Sequence, residues 1–226
     1  MTKEEIIEAF RFRHAAKEFD PDKKISKEDF EFILEAGRLS PSSFGFEPWK
    51  FLVVQNMELR HQFLPFSWGA QKQLPTASHF VLLLSRTKAG MAFSSGHIQN
   101  MLREVKKFPE EMIPNYEKTY HKFLASDFNI LDNERAVFEW SSRQTYIALG
   151  NMMTAAAMIG IDSCPIEGFD KQMAEDLLRS EGLLAGDEFG LSCMLAFGYR
   201  AREPRPKTRR PMEQVVEWVN EKRKGR

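Results

Sequence analysis

Apolar residues along this chain alternate between two spacings, and the changes of spacing mark its elements. Thr2-Lys3-Glu4-Glu5 has the Thr-x-x-Glu form of a capping box, and Ile6, Ile7 and Phe10 behind it predict a first helix. Ser26-Lys27-Glu28-Asp29 marks a second start, with Phe30, Ile33, Leu34 and Gly37 on one helical face. Pro41, Ser42, Ser43 and Gly45 then break the chain into a loop. Short unbroken apolar runs at 51–54 and 80–84 predict buried strands. A polar, helix-rich middle spans about 97 to 132, followed by a long helix from about 134 to 159. The second half of that helix is nearly all small or apolar: Ala148, Leu149, Met152, Met153, Ala155, Ala156, Ala157. Such a composition predicts burial nearly all round, in a core or between subunits, with Gly160 ending the helix. Residues 161–164 predict a brief strand before Pro165, and 191–197 an apolar one. A basic, proline-rich stretch at 200–211 leads to an end piece carrying Val215, Val216, Trp218 and Val219. Helices interleaved with few, widely separated strands predict an α+β fold. Without internal repeats or a low-complexity linker, residues 1–226 read as one domain.

Composition narrows the chemistry. Lys and Arg total 32, as do Asp and Glu, so the net charge is zero, and hydrophobic residues make up 42% of 226. That is enough apolar material for a core, and it lacks the basic excess of a nucleic-acid or anionic-membrane protein. Met1 to Glu5 is followed by nothing like a signal peptide, and the most apolar run, 152–161, is far short of a membrane span. With Cys164 and Cys193 alone there is no disulfide framework, and the expected compartment is the cytoplasm. His14, His61, His79, His97 and His121 show no metal-binding spacing, so no metal is expected. Neither a Rossmann fingerprint, a P-loop nor a nucleophile elbow occurs, which leaves a bound cofactor to supply any chemistry.

Four segments stand out. Arg13-His14-Ala15-Ala16-Lys17-Glu18-Phe19 reads either as a charged loop or as a cationic site for an anion. Ser40-Pro41-Ser42-Ser43-Phe44-Gly45-Phe46-Glu47-Pro48-Trp49 is either an ordinary helix-to-strand connection or a source of hydroxyl and backbone donors for a ligand. In Asp162-Ser163-Cys164-Pro165-Ile166-Glu167-Gly168-Phe169, Pro165 and Gly168 constrain the backbone around one glutamate and leave the N–H groups of 166–168 available. Arg205-Pro206-Lys207-Thr208-Arg209-Arg210-Pro211 is a solvated basic run or a phosphate clamp; it lacks the interleaved aromatics of a nucleic-acid site.

In this order and spacing the segments resemble the nitroreductase family of FMN-dependent, oxygen-insensitive NAD(P)H reductases. The resemblance runs from the first helix to about Pro211 and is strongest at R-H-x-x-K-x-F, S-P-S-S…P-W and P-I-E-G-F. It implies a nitroreductase-like fold, a central, mainly antiparallel sheet flanked by helices, in an intertwined homodimer with FMN between subunits. It further implies that Arg13, Lys207 and Arg209 hold the FMN phosphate, with His14 and Ala15 beside them, and that Lys17 and Gln73 lie near the pyrimidine edge. Pro165, Ile166, Glu167 and Gly168 would run beside the ring with the Glu167 N–H at N5, and Pro41, Ser42 and Ser43 would arrive from the partner subunit. Phe44, Phe123 and Leu124 would line the substrate channel. Ala15 and Ala70 stand where the family commonly has serine and asparagine, and Gln73 where it often has lysine or glutamine; Phe44 replaces a smaller polar residue.

The activity so implied is hydride transfer from NADPH or NADH through flavin N5 to nitroaromatic and quinone acceptors, by ping-pong kinetics and with no dedicated acid–base residue. Enone reduction, dehalogenation and flavin degradation on the same fold remain alternatives, as does a flavin-binding sensor without turnover.

Overall fold

The computed structural model describes residues 1–219. In chain order its main elements are α1 (Lys3–Phe12), α2 (Lys27–Arg38), β1 (Trp49–Val53), α3 (Met57–Phe63), α4 (Gln73–Thr76), β2 (His79–Arg86), α5 (Gly96–Asn100), α6 (Ile113–Lys122), α7 (Glu134–Met158), β3 (Asp162–Ile166), α8 (Lys171–Ser180) and β4 (Phe189–Gly198). The helix starts follow from their caps. The Thr2 hydroxyl accepts from the Glu5 N–H while the Glu5 carboxylate accepts from the Thr2 N–H, closing the capping box. Ser26, Asn133 and Asp170 cap α2, α7 and α8 from one side only, each side chain accepting from a first-turn N–H. Gly160, at φ +76°, ends α7: its own N–H donates to the Ala157 carbonyl and that of Ile161 to Ala156, the two bonds of a Schellman motif.

The four strands form one antiparallel sheet in the order β1-β2-β4-β3. Side chains alternate across β2, so Phe80, Leu82 and Leu84 join one core and Val81 and Leu83 the other. Residues of α3, α4 and α8 complete the first core; α2 and α7 cover the second, crossing so closely that a Cβ at Gly37 would lie 2.8 Å from Met152. A third cluster joins the middle of the chain to α7 through Phe46, Tyr120, Leu124 and Trp140. Two π-helical turns, Met101–Val105 and Phe123–Asp127, lie in this region. None of the described helices is long and apolar enough to cross a membrane.

Two expectations change. The third strand continues through Pro165 to Ile166, which β3 tolerates because it is a sheet edge, where a missing N–H breaks no ladder. The second half of α7 is not buried all round within the protomer. Ile147 and Met158 are 40% and 36% exposed on the side away from the sheet, with Asn151 between them.

Candidate active site

Residues 13–18 and 200–209 come together from opposite ends of the chain to form a cleft of about 630 Å³. Backbone bonds align the two segments. Ala16 N–H donates to the Ser163 carbonyl at 3.1 Å, Asp20 N–H to Tyr199 at 2.8 Å, and Ala201 N–H to Glu18 at 3.1 Å. Arg200 fixes the corner. Its guanidinium contacts the buried Asp162 carboxylate at 2.6 and 2.8 Å and the Phe12 carbonyl at 3.0 Å, and it stacks over the Phe12 ring. The Lys207 ammonium docks on the carbonyls of Phe10 and Arg13, at the negative end of the α1 dipole. One of its three N–H donors is left for a ligand. The His14 ring nitrogens lie 3.4 Å from the Phe12 carbonyl and 3.1 Å from that of Arg205, tying α1 to the basic run.

The cleft is strongly cationic. Its ion pairs join Lys72 and Arg202 to Glu18 at 3.0 and 3.6 Å, and Arg200 to Asp162 and Glu203; Arg13, Lys207 and Arg209 take no part in them. Partial burial, then the cations Arg13, Arg209 and Arg200, hold the Lys207 ammonium below the usual lysine range. The Lys72 ammonium, through its hydrogen bond and its charge, holds Glu18 below the usual carboxylate range. Such crowding of like charges is relieved by an anion, and a phosphate suits forked guanidinium donors. Lys17 lines the same cleft, with its side chain exposed.

Beyond Ser163 the chain reaches the turn at 165–168. Ile166 is still in the ladder, opposite Met194, so the N–H groups outside it are those of Glu167 and Gly168; neither has a protein acceptor among the described residues. Gly168 presses against Gly69. The Gly69 N–H donates to the Gly168 carbonyl at 2.7 Å, and a Cβ on Gly168 would lie 2.8 Å from the Gly69 Cα. Trp68, 78% exposed, stands over the same contact.

The remaining expected site residues lie elsewhere. Gln73 turns inward, 3% exposed, its amide nitrogen 3.5 Å from the Ala16 carbonyl and 3.6 Å from Cys164 Sγ; the neighbouring Lys72 faces the cleft instead. Ala70 is wholly buried in the first core. Pro41, Ser42 and Ser43 do not line the cleft of their own protomer. The Ser42 hydroxyl accepts from the Glu47 N–H at 2.9 Å, and the Ser43 N–H donates to Gln144 Oε1 at 2.8 Å. Phe44 has φ +58°, and its carbonyl accepts from the Lys106 ammonium and the Tyr116 hydroxyl. Its ring meets those of Tyr120 and Phe123 at 5.1 and 5.0 Å. Leu124 lies deeper than Phe123. At 4% exposed it belongs to the third cluster, within the π-helical turn Phe123–Asp127.

Sequence reasoning missed Lys72, Arg200, Arg202, Trp68 and Tyr146, whose hydroxyl bonds the Glu167 carboxylate. The R-x-R spacing of Arg200 and Arg202 was the one local signal for any of them.

The model of the nitroreductase family matches residues 10–199. YfkO of Bacillus subtilis (strain 168), which carries the provisional name NAD(P)H nitroreductase, is 56% identical over 217 residues, 96% of this chain and 98% of that protein. A protein of Staphylococcus aureus (strain USA300) with the same provisional name is 56% identical over 218 residues, 96% of each chain. Of solved structures, the provisional nitroreductase ydfN of Bacillus subtilis superposes with a TM-score of 0.77 at 21% identity, over 96% of this chain and 100% of that one. A provisional nitroreductase from Exiguobacterium sibiricum, solved in complex with FMN, gives 0.72 at 22% identity, over 95% and 97%. These structures share the fold, and the family model and the 56%-identical relatives decide the family: the chain belongs to the nitroreductase family.

Proposed function

We propose that this protein is a cytoplasmic, homodimeric FMN-dependent NAD(P)H reductase of nitroaromatic compounds and quinones. The observation that carries the reading is the cleft in which Arg13, Lys207 and Arg209 converge outside the cleft's ion pairs, with Lys207 held low by burial and by its cationic neighbours. The FMN phosphate bears close to two negative charges, and these residues fit it. The turn fits the ring: Gly168 lets the turn close against Gly69, where a Cβ would meet backbone, and the Glu167 and Gly168 N–H groups stand ready to donate. The names of the relatives and the FMN complex of the Exiguobacterium structure point the same way.

In this reading Arg13, Lys207 and Arg209 hold the phosphate, while Lys17 supplies positive charge at the pyrimidine edge. Glu167 and Gly168 donate from the backbone toward N5, and Pro41, Ser42 and Ser43 of a second copy close the site. FMN held there would supply two-electron transfer between a nicotinamide and the acceptor. The protein binds, orients and balances charge, and protons come from solvent. Gln73, being buried, supports the Ala16–Lys17 backbone through its amide rather than adding charge.

The test is selective loss of the phosphate clamp. Lys207→Ala combined with Arg209→Ala should weaken FMN binding about a hundredfold or more while leaving riboflavin binding nearly intact, because charge-assisted hydrogen bonds contribute roughly 1.5–3 kcal/mol each. Equal losses for the two flavins would overturn the assignment, as would a wild-type protein that binds neither.

A further inference from the structure

The turn at 165–168 is anchored unevenly. On one side the β3 ladder ends at Ile166. On the other, Gly168 and Asp170 are tied by backbone bonds to Gly69 at 2.7 Å and Phe66 at 2.8 Å. Between these anchors the Glu167 carbonyl accepts from the Phe169 N–H at 2.9 Å, and the Glu167 N–H, in the preceding peptide group, has no acceptor among the described residues. What ties it sideways to the body of the protein is a side-chain bond: the Tyr146 hydroxyl donates to Glu167 Oε1. Tyr146 rises from α7, its ring half-buried against the second core, and shares with Glu167 and Phe169 the wall of a separate hollow of about 570 Å³. Burial, then Cys193 and Glu167, push the phenol well above its ordinary range, so it remains a donor at any working pH.

We infer that Tyr146 is a positioning residue for the flavin ring: by holding the Glu167 carboxylate it steadies, from the side away from the ladder, the residue whose N–H faces the ring. The inference rests on the FMN reading above. Hydrogen-bond strength falls steeply as the donor tilts away from its acceptor, so a donor just past the end of a ladder gains from a second hold on its residue. The Tyr146–Glu167 bond supplies that hold, and α7 makes a stiff base for it.

Three variants test the inference, Tyr146→Phe, Glu167→Ala and the pair combined, each titrated with FMN and with riboflavin by quenching of flavin fluorescence. Each single variant should weaken both flavins by the same factor, about tenfold, since the phosphate clamp is untouched and a hydrogen bond to a charged group is lost. The flavin's visible absorption band should shift in both. The combined variant should bind no worse than Glu167→Ala, because Tyr146 acts only through that carboxylate. Unchanged riboflavin affinity in Tyr146→Phe would overturn the inference, as would a further loss from Tyr146→Phe in the Glu167→Ala background, which would mean simple packing. If Tyr146→Phe does not fold, the exposed Glu167→Ala still decides: wild-type riboflavin binding there rules the tether out. A wild-type protein that binds neither flavin refutes the FMN reading itself, whereas wild-type binding by every variant refutes only the tether.

Discussion

At the scale of single residues, the Gly69–Gly168 contact is the least forgiving point of the site. A Cβ on Gly168 would sit 2.8 Å from the Gly69 Cα, and one on Gly69 would sit 2.9 Å from the Gly168 Cα, backbone against backbone. Neither loop has a flexible side chain to yield, so Gly168→Ala must part the loops and displace the Glu167 N–H. We expect that variant to lose about 2 kcal/mol of stability, within the range of overpacked sites, and to lose flavin affinity as well. Thermal melts and flavin titration check both, and a fully stable, flavin-binding Gly168→Ala would refute the geometry. The P-I-E-G-F run was legible in the sequence because its constraints are local, a proline and a glycine around one glutamate. Its opposing glycine was not, since Gly69 meets Gly168 only through the tertiary fold. The burial of Gln73 and Leu124 was not legible for a related reason: a motif position fixes where a Cα lies, whereas packing decides where the side chain goes.

At the scale of elements, helix starts and ends were readable because caps act within one turn: Thr2 with Glu5, Ser26 with Asp29, Gly160 past α7. Sheet order was not readable, since β3 joins β4 across an intervening helix and the bulge between Leu83 and Leu84 leaves no sequence mark. The packing of α2 on the sheet carries a testable pH dependence. Phe30 of α2 stacks on His79 at the start of β2, ring centroids 3.8 Å apart. Burial, then the charges of Arg60 and Lys24, lower the His79 pKa to about 4. A folded-state value below the ordinary 6.5 means the unfolded chain takes up a proton first on acidification. The stabilising effect is therefore fully present above about 6.5 and is lost as pH falls toward 4, on the order of 1–2 kcal/mol for a partly exposed group. His79→Phe keeps the stack and removes the titration. Its stability should fall less than the wild type's between pH 6.5 and 4; parallel curves would exclude His79 as a source of acid sensitivity.

At the scale of the whole molecule, the exposed residues Ile147 and Met158 on α7, with Val215, Trp218 and Val219 in the end segment, leave apolar surface on a protein of zero net charge. The proposed homodimer would cover it. Sedimentation should give a dimer, and Ile147→Asp should yield monomers that lose FMN, because Pro41, Ser42 and Ser43 would then no longer reach a neighbour's site. A monomer retaining FMN tightly would contradict both the interface and the shared site. The unneutralised cations around Lys207 have a consequence beyond catalysis. If their repulsion is relieved only by the cofactor, FMN acts as a folding ligand, adding about 2.7 kcal/mol at a hundred times its dissociation constant. The survival of newly made chains, and not only their activity, would then follow the cell's supply of riboflavin, so that vitamin scarcity would thin the enzyme out by proteolysis before it idled for want of a prosthetic group.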